Sequence, residues 1–451
     1  MLKITQLFLL GTLLIQTELG ALQAQDLERK SLAVTVYNAN FGIVKDVREA
    51  QMKSGISEIR LTDVAAQIDP TSVLVKSQGS IIEQNFRYDL ASLSKILERY
   101  IEKEIRLIGE DKELLEGTLL SVQGNSVVLR KKDGGLLLIP SIDDYRLSVE
   151  ALPDGLITKP TLVWLVNSKK SGKENLEVSY KTYGIRWHAE YVALLNPNDE
   201  QMELKAWVSV ENNSGASYPN AKLKLVAGDV NQVSTQPVLA KAERATFGAA
   251  VADEAQFQEN SFFEYHIYTL ERPATLMENE VKQISLFEAD GVRVKKKYLY
   301  RGGNSKVSVA IEFQNDKSSG LGQPMPKGTV RVMKSDGQSL EFIGEDELDH
   351  TPLKEKVNLK IGDAFDVVAE EVRENYKRIS QSVNEQTYKV TLKNRKKENI
   401  SVEVERYLGL NWEILDSSLK YEKKDASRVV FDVPVKSDSE TVLKFTVRYV
   451  N

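Results

Sequence analysis

Three histidines, His188, His266 and His350, are the only imidazoles in the 451-residue chain, and one stands in the run Trp187-His188-Ala189-Glu190. A histidine oriented by a nearby carboxylate can serve as a general base. On an extended strand, His188 and Glu190 share one face while Trp187 and Ala189 share the other. The simpler reading is therefore a polar face opposite a core tryptophan. A second concentration of chemistry lies at residues 344–350, where Glu345, Asp346, Glu347 and Asp349 precede His350. Four carboxylates so close together suit a hard cation such as calcium, but the EF-hand spacing and its glycine are missing, so an acidic surface loop is preferred. The three histidines share no ligand spacing, and no zinc site is assigned to them. No nucleophile elbow, zinc-protease helix, phosphate loop or dinucleotide fingerprint occurs. Trp164, Trp187, Trp207 and Trp412 all sit in strand patterns and are expected to fill cores rather than stack on sugars. No residue is assigned a catalytic, cofactor-binding or metal-ligating role.

The elements that must carry these residues are strands. Residues 180–229 alternate apolar and polar side chains through Tyr183, Ile185, Trp187 and Ala189, then through Leu204, Ala206, Val208 and Val210, with Leu223 and Leu225 opening a third strand. Period-two alternation of aromatic and β-branched residues marks half-buried antiparallel strands. Asn196-Pro-Asn-Asp and residues 212–220, with Gly215 and Pro219, read as the intervening turn and loop. Short strands are also expected at 32–37, 41–47, 55–61, 72–76 and 80–86. Residues 89–106 carry Leu90, Leu93, Ile96, Leu97, Tyr100, Ile101 and Ile105 at helical spacing, with Asp89 as the expected cap. Strands at 116–122, 126–130, 136–140 and 145–147, with Gly124-Asn125 and Asp133-Gly134-Gly135 at their bends, suit a small SH3-like or Sm-like barrel. Such barrels often bind peptides or RNA; Arg130-Lys131-Lys132 has no aromatic partner here and reads as a solvated hairpin tip. Further on, 281–287 and 292–300 are separate expected strands about an Asp290-Gly291 turn, and Lys295, Lys296 and Lys297 suggest an edge or exposed strand. Residues 240–260, rich in Ala, Glu and Gln, are expected to form a mobile loop or a weak helix on a surface loop. Residues 363–379 fit either a helix or a strand.

Composition narrows the function classes. The net charge of −5 gives no support to nucleic-acid binding. Cysteine is absent, which excludes a disulfide scaffold, a thiolate zinc site, a cysteine nucleophile and a lipid-acylated N-terminal cysteine. Lys3, the apolar residues 7–15 and the exit Gly20-Ala-Leu-Gln-Ala24 form a secretory signal pattern with cleavage expected after Ala24, although Leu22 is a large residue for its position. No later apolar run has transmembrane length. An outer-membrane barrel is disfavoured by the charged segments of the tail and by the lack of a final aromatic residue.

Several runs resemble one family. Tyr183-Gly-Ile-Arg-Trp187, Tyr191, Val210-Glu-Asn-Asn-Ser-Gly215, Leu223-Lys-Leu-Val-Ala-Gly228, Leu321-Gly-Gln-Pro-Met-Pro-Lys-Gly-Thr-Val-Arg-Val332, Phe342-Ile-Gly-Glu-Asp346, His350-Thr-Pro352 and Ile361-Gly-Asp-Ala-Phe-Asp366 resemble the bacterial "domain of unknown function 4139" family, to which mucoidy inhibitor A proteins are related. The resemblance extends over residues 164–451. It implies a long antiparallel β-domain in exported bacterial proteins, with residues 363–379 extended, and brings no catalytic mechanism. The longer relatives carry a coiled coil where this chain has residues 89–152, so no property of that coiled coil is carried over.

The expected architecture is mainly β, a multi-domain antiparallel β-sandwich-like arrangement with one clear helix and a small barrel. Its parts are a signal peptide (1–24), a β-domain (25–88), a helix with barrel insertion (89–152) and a large β-domain (153–451). The expected function is that of an exported envelope protein, periplasmic or extracellular, which binds an envelope protein or glycan or has a structural role. It would bind no nucleic acid and have no transmembrane span after signal cleavage. The alternative is a hydrolase or metal-dependent enzyme using His188/Glu190 or the acidic loop near His350.

Overall fold

The computed structural model describes residues 27–110, 113–228, 230–232 and 256–450. The signal segment 1–24 and residues 240–255 of the expected mobile loop lie outside the described residues. The remainder of that loop enters the strand Phe257–Phe262, which pairs with Tyr265–Leu270. The architecture is mainly β, with one α-helix among the described residues. The chain divides into two compact units.

Within the described residues, the first unit takes 27–30, 47–64 and 75–178. In one sheet Thr161–Ser168 lies between Gly55–Leu61 and Ser80–Arg87, antiparallel to both. Trp164, fully buried in that central strand, donates its indole N–H to Gln84 Oε1 at 2.9 Å. A second sheet has five antiparallel strands in the order Tyr145–Ser148, Glu104–Gly109, Leu114–Gln123, Ser126–Arg130, Leu136–Ile139. Leu107, Leu119, Val127, Leu129 and Ile139 form its core with Leu97 of the helix. No pairing closes this sheet among the described residues. The helix is shorter than its apolar spacing predicts, Leu93–Arg99 rather than 89–106. Ser92 is its N-cap and accepts from the Lys95 N–H, whereas Asp89 pairs with Lys95 and Arg99. Ile105 belongs to the next strand, where it is buried in the same core. Its spacing matched a helix only because that core serves helix and strand together.

The second unit takes 31–46, 65–74 and 179–450. Its main sheet runs in the order Leu340–Leu348, Gly328–Ser335, Ile185–Leu195, Gln201–Asn212, Glu280–Tyr300, Lys306–Gln314, Lys356–Arg378, Val383–Asn394, Ser439–Val450, Trp412–Ser417. Antiparallel pairing predominates, but Ile185–Leu195 lies parallel to Gly328–Ser335, and Ala33–Tyr37 lies parallel to Lys222–Val226. Two strands are unusually long. Glu280–Tyr300 pairs with Gln201–Asn212 along its first part and with Lys306–Gln314 beyond it. Asp290-Gly291 is therefore a bulge inside one strand and not a turn; the ladder shifts register opposite it, and Gly291 takes φ +66°. Lys356–Arg378 likewise serves two ladders, so residues 363–378 are extended and only Ile379 lies beyond the strand. Lys297 lies in an interior strand and pairs with Glu312 and Glu403 at 2.9 and 2.8 Å, so the lysine run is not an edge; Lys295 is exposed, and Lys296 and Lys297 are half-buried. The C-terminal strands enclose a core of Tyr300, Val404, Phe431, Phe445 and Val447. Gly184, with φ +75°, interrupts the alternation expected through Tyr183 and Ile185: Tyr183 ends the strand Gly172–Tyr183 and Ile185 opens Ile185–Leu195.

Candidate functional site

Along Ile185–Leu195 the side chains alternate as the sequence predicts. Ile185, Trp187, Ala189 and Tyr191 are buried. Trp187 donates its indole N–H to the Val226 carbonyl at 3.0 Å and meets the Tyr268 ring edge-on at 6.1 Å. On the opposite face, His188 Nε2 lies 3.0 Å from Glu190 Oε1, with the His188 side chain 38% exposed and that of Glu190 13%. Arg331, from the neighbouring parallel strand, pairs with the other carboxylate oxygen of Glu190 and lies 3.5 Å from Glu345. Across the antiparallel ladder Arg186 stands opposite Glu211 and pairs with it at 2.8 Å, while Glu211 also approaches His188 Nδ1 at 3.9 Å. Five charged or titratable groups thus form a continuous row over three strands. The His188 hydrogen bond, aided by the Arg331 guanidinium, holds the Glu190 carboxyl below the usual range against the opposing effect of burial.

This row lies on a sheet face and its members neutralise one another. Glu190 binds two partners, so it orients His188 but is itself anchored to Arg331. The pair meets the distance a general base and its orienter require.

Of the expected acidic loop 344–350, residues 344–348 belong to a strand, and only Asp349 and His350 lie beyond it. Glu345, Asp346 and Glu347 lie within Leu340–Leu348, where alternation sends neighbouring carboxylates to opposite faces. Glu345 turns to Arg331, whereas Asp346 accepts from the backbone N–H of Lys360 at 2.7 Å. Asp349 faces Lys327 at 3.5 Å, and His350 Nδ1 accepts from the Lys327 N–H at 3.1 Å. His266 pairs with Glu259 at 2.6 Å across its own hairpin. Each histidine therefore has its own carboxylate or backbone partner. Among the described residues, no group of three or more His, Asp or Glu stands close enough to hold a metal ion.

The asparagine, proline and glycine motifs resolve into packing devices. Asn212, buried at a strand end, donates from Nδ2 to the carbonyls of Ala216, Leu276 and Met277 at 2.9, 3.4 and 3.0 Å. Its Oδ1 accepts from Ser214 N–H and Oγ–H. Asn394 repeats the pattern, donating to Glu398, Val435 and Lys436 at 2.8, 3.4 and 3.0 Å. Asn315 does so again with Gln323, Thr351 and Pro352 at 2.8, 3.4 and 2.9 Å. Each pins a loop to two consecutive carbonyls of another segment. The Pro324 and Pro326 carbonyls accept from the Tyr268 and Tyr191 hydroxyls at 3.1 and 2.7 Å. Gly328 is required because a Cβ there would lie 2.0 Å from the Ala189 carbonyl oxygen.

Alternation along the strand of His188 does not reveal Arg331, Glu211 or Arg186 as its neighbours. Their signal is cross-strand register, which a single strand's pattern does not carry.

Fold and site together define a mainly-β protein of extended sheets whose most distinctive polar residues tie strand ends together. Residues 176–448 match the family described as Domain of unknown function (DUF4139), and the chain belongs to that family. No curated protein matches the chain.

Proposed function

We propose that this chain is an exported bacterial envelope protein that works by binding or structural support and not by catalysis. The observation that carries the reading is the mutual neutralisation of Arg186, Glu211, His188, Glu190 and Arg331 on a sheet face. Catalytic groups are held in concave sites and aimed at a reacting atom; these groups are aimed at one another. The signal pattern ending at Ala24 supports export. The partner is an envelope protein or glycan.

The test is fractionation of bacteria expressing the tagged chain, N-terminal sequencing of the product, and affinity capture from envelope extract by residues 25–451. Recovery in the envelope fraction, beginning at residue 25 and with a saturable partner, is the expected result. Retention in the cytoplasm with residues 1–24 intact overturns it.

A second reading, a hydrolase based on His188 and Glu190, draws on their 3.0 Å contact. Assays with ester, phosphoester and peptide substrates decide it: turnover by the wild type that is lost in His188→Ala would replace the first reading.

A further inference from the structure

We propose that the free edge of the Leu136–Ile139 strand takes up an extended acidic peptide by strand addition. The site lies outside the row around His188, and a binding measurement on purified protein stands or falls independently of where the chain resides in the cell.

Leu136–Ile139 ends its five-stranded sheet. It pairs with Ser126–Arg130 on one side, and among the described residues no strand pairs with the other. The ladder fixes which backbone groups face outward. The Lys131 N–H bonds the Gly135 carbonyl at 2.8 Å, which marks residue 135 as a hydrogen-bonded position. Antiparallel pairs alternate between bonded and non-bonded positions, so Leu137 and Ile139 bond inward while Leu136 and Leu138 direct N–H and C=O to the open edge. Natural edges are blunted by charge, proline or a bulge within the strand, or by shortness; this strand is four residues long and Pro140 follows it, but no charge, proline or bulge lies within it. This one carries leucines instead, 59% exposed at Leu136 and 69% at Leu138. Both lie on the face opposite the buried Ile139.

The charge beside the edge selects the occupant. Arg130, Lys131 and Lys132 lead into the hairpin turn before Leu136 and are exposed. None has an ion-pair partner among the described residues, and Asp133 instead accepts from the Gly135 N–H at 2.9 Å. Three unneutralised cations on a chain of net charge −5 call for an acidic partner. A peptide with alternate apolar side chains and acidic residues at one end would continue the ladder, cover Leu136 and Leu138, and neutralise the tip, which is the recognition mode of strand addition. A second copy fits less well, because a four-residue strand paired with itself covers far less surface than a stable dimer needs and supplies no such acidic cluster. Single-stranded nucleic acid would want aromatic stacking platforms beside the cations; the tip residues 130–135 include no aromatic.

The test is fluorescence anisotropy with the purified chain and a labelled peptide in which two glutamates precede alternating valine and threonine. Saturable binding that weakens with added salt is expected. Leu138→Pro removes an outward N–H without touching an inward ladder bond and should weaken binding about tenfold or more. Replacing Arg130, Lys131 and Lys132 together by serine should weaken binding similarly and flatten the salt dependence. Far-ultraviolet circular dichroism checks folding; if Leu138→Pro fails that check, Leu136→Ser combined with Leu138→Ser replaces it. The proposal is overturned by absence of saturable binding, by equal binding of the peptide with lysines in place of glutamates, or by full affinity in the folded edge variants. Two further outcomes also overturn it: self-association lost in Leu138→Pro without peptide binding, and binding of an oligouridylate but not the peptide.

Discussion

Glu190 and Asn394 show two different uses of a polar side chain in this protein. Glu190 joins His188 and Arg331, so Glu190→Gln leaves the Arg331 guanidinium with only the Glu345 carboxylate, 3.5 Å away, as counter-charge. The expected cost is about 1–2 kcal/mol at pH 7, read from urea unfolding. Its pH dependence has a definite sign. The folded-state pKa is depressed, so the contribution is fully present above the unfolded value and is lost as pH falls through the folded one. The gap between wild type and Glu190→Gln should therefore close once the pH falls below the ordinary glutamate range; a gap that persisted there would contradict the assignment. Asn394 is neutral, and its role is donation to three carbonyls. Asn394→Ala should cost about 2–3 kcal/mol. Asn394→Asp keeps the shape but removes the donor and places an anion among carbonyl oxygens, so it should be at least as damaging. If the aspartate variant were the milder one in denaturant melts, the role would be space filling.

Loops and strand junctions depend on glycine at two kinds of position. Gly215 has φ +84°, and a Cβ there would lie 2.2 Å from Ala66 Cβ. Gly215→Ala meets both the left-handed backbone cost and a steric clash, and should destabilise by about 2–4 kcal/mol. Gly124, with φ +59° and open space for 4 Å around the point a Cβ would occupy, has only the backbone term. Its alanine variant should cost about 1–2 kcal/mol, so the two midpoints separate packing from conformation. The long strands obey another rule. The Asp290-Gly291 bulge lets Glu280–Tyr300 continue from one ladder to the next, and this continuity carries the sheet past a dipeptide that ordinarily marks a turn.

At the scale of the molecule, the two units have cores of their own. Leu107 is fully buried among the five-stranded sheet and the helix, and Phe431 among the C-terminal strands. Leu107→Ala should cost about 2–5 kcal/mol and raise amide hydrogen exchange across residues 104–148 while leaving 383–450 protected. Phe431→Ala should do the reverse. Uniform loss of protection in either variant would show that the cores open as one cooperative body.

From its amino-acid pattern alone the chain discloses the buried side of strands such as Ile185–Leu195, but not that residues 104–106 and 344–348 are strand, since they read as helix and loop. The face of Trp187 opposite His188 follows from period-two alternation. The family was legible too, in motif residues such as Asn212, Gly215 and Pro324. Only the tertiary structure decided what those residues do. Arg331 reaches Glu190 through a parallel pairing, Asn315 reaches Pro352 across 37 residues, and Glu345 leaves its acidic neighbours because its segment is a strand. Alternation is a property of one strand, whereas partner, direction and register are set by contacts between distant segments, and so no single segment of the sequence records them.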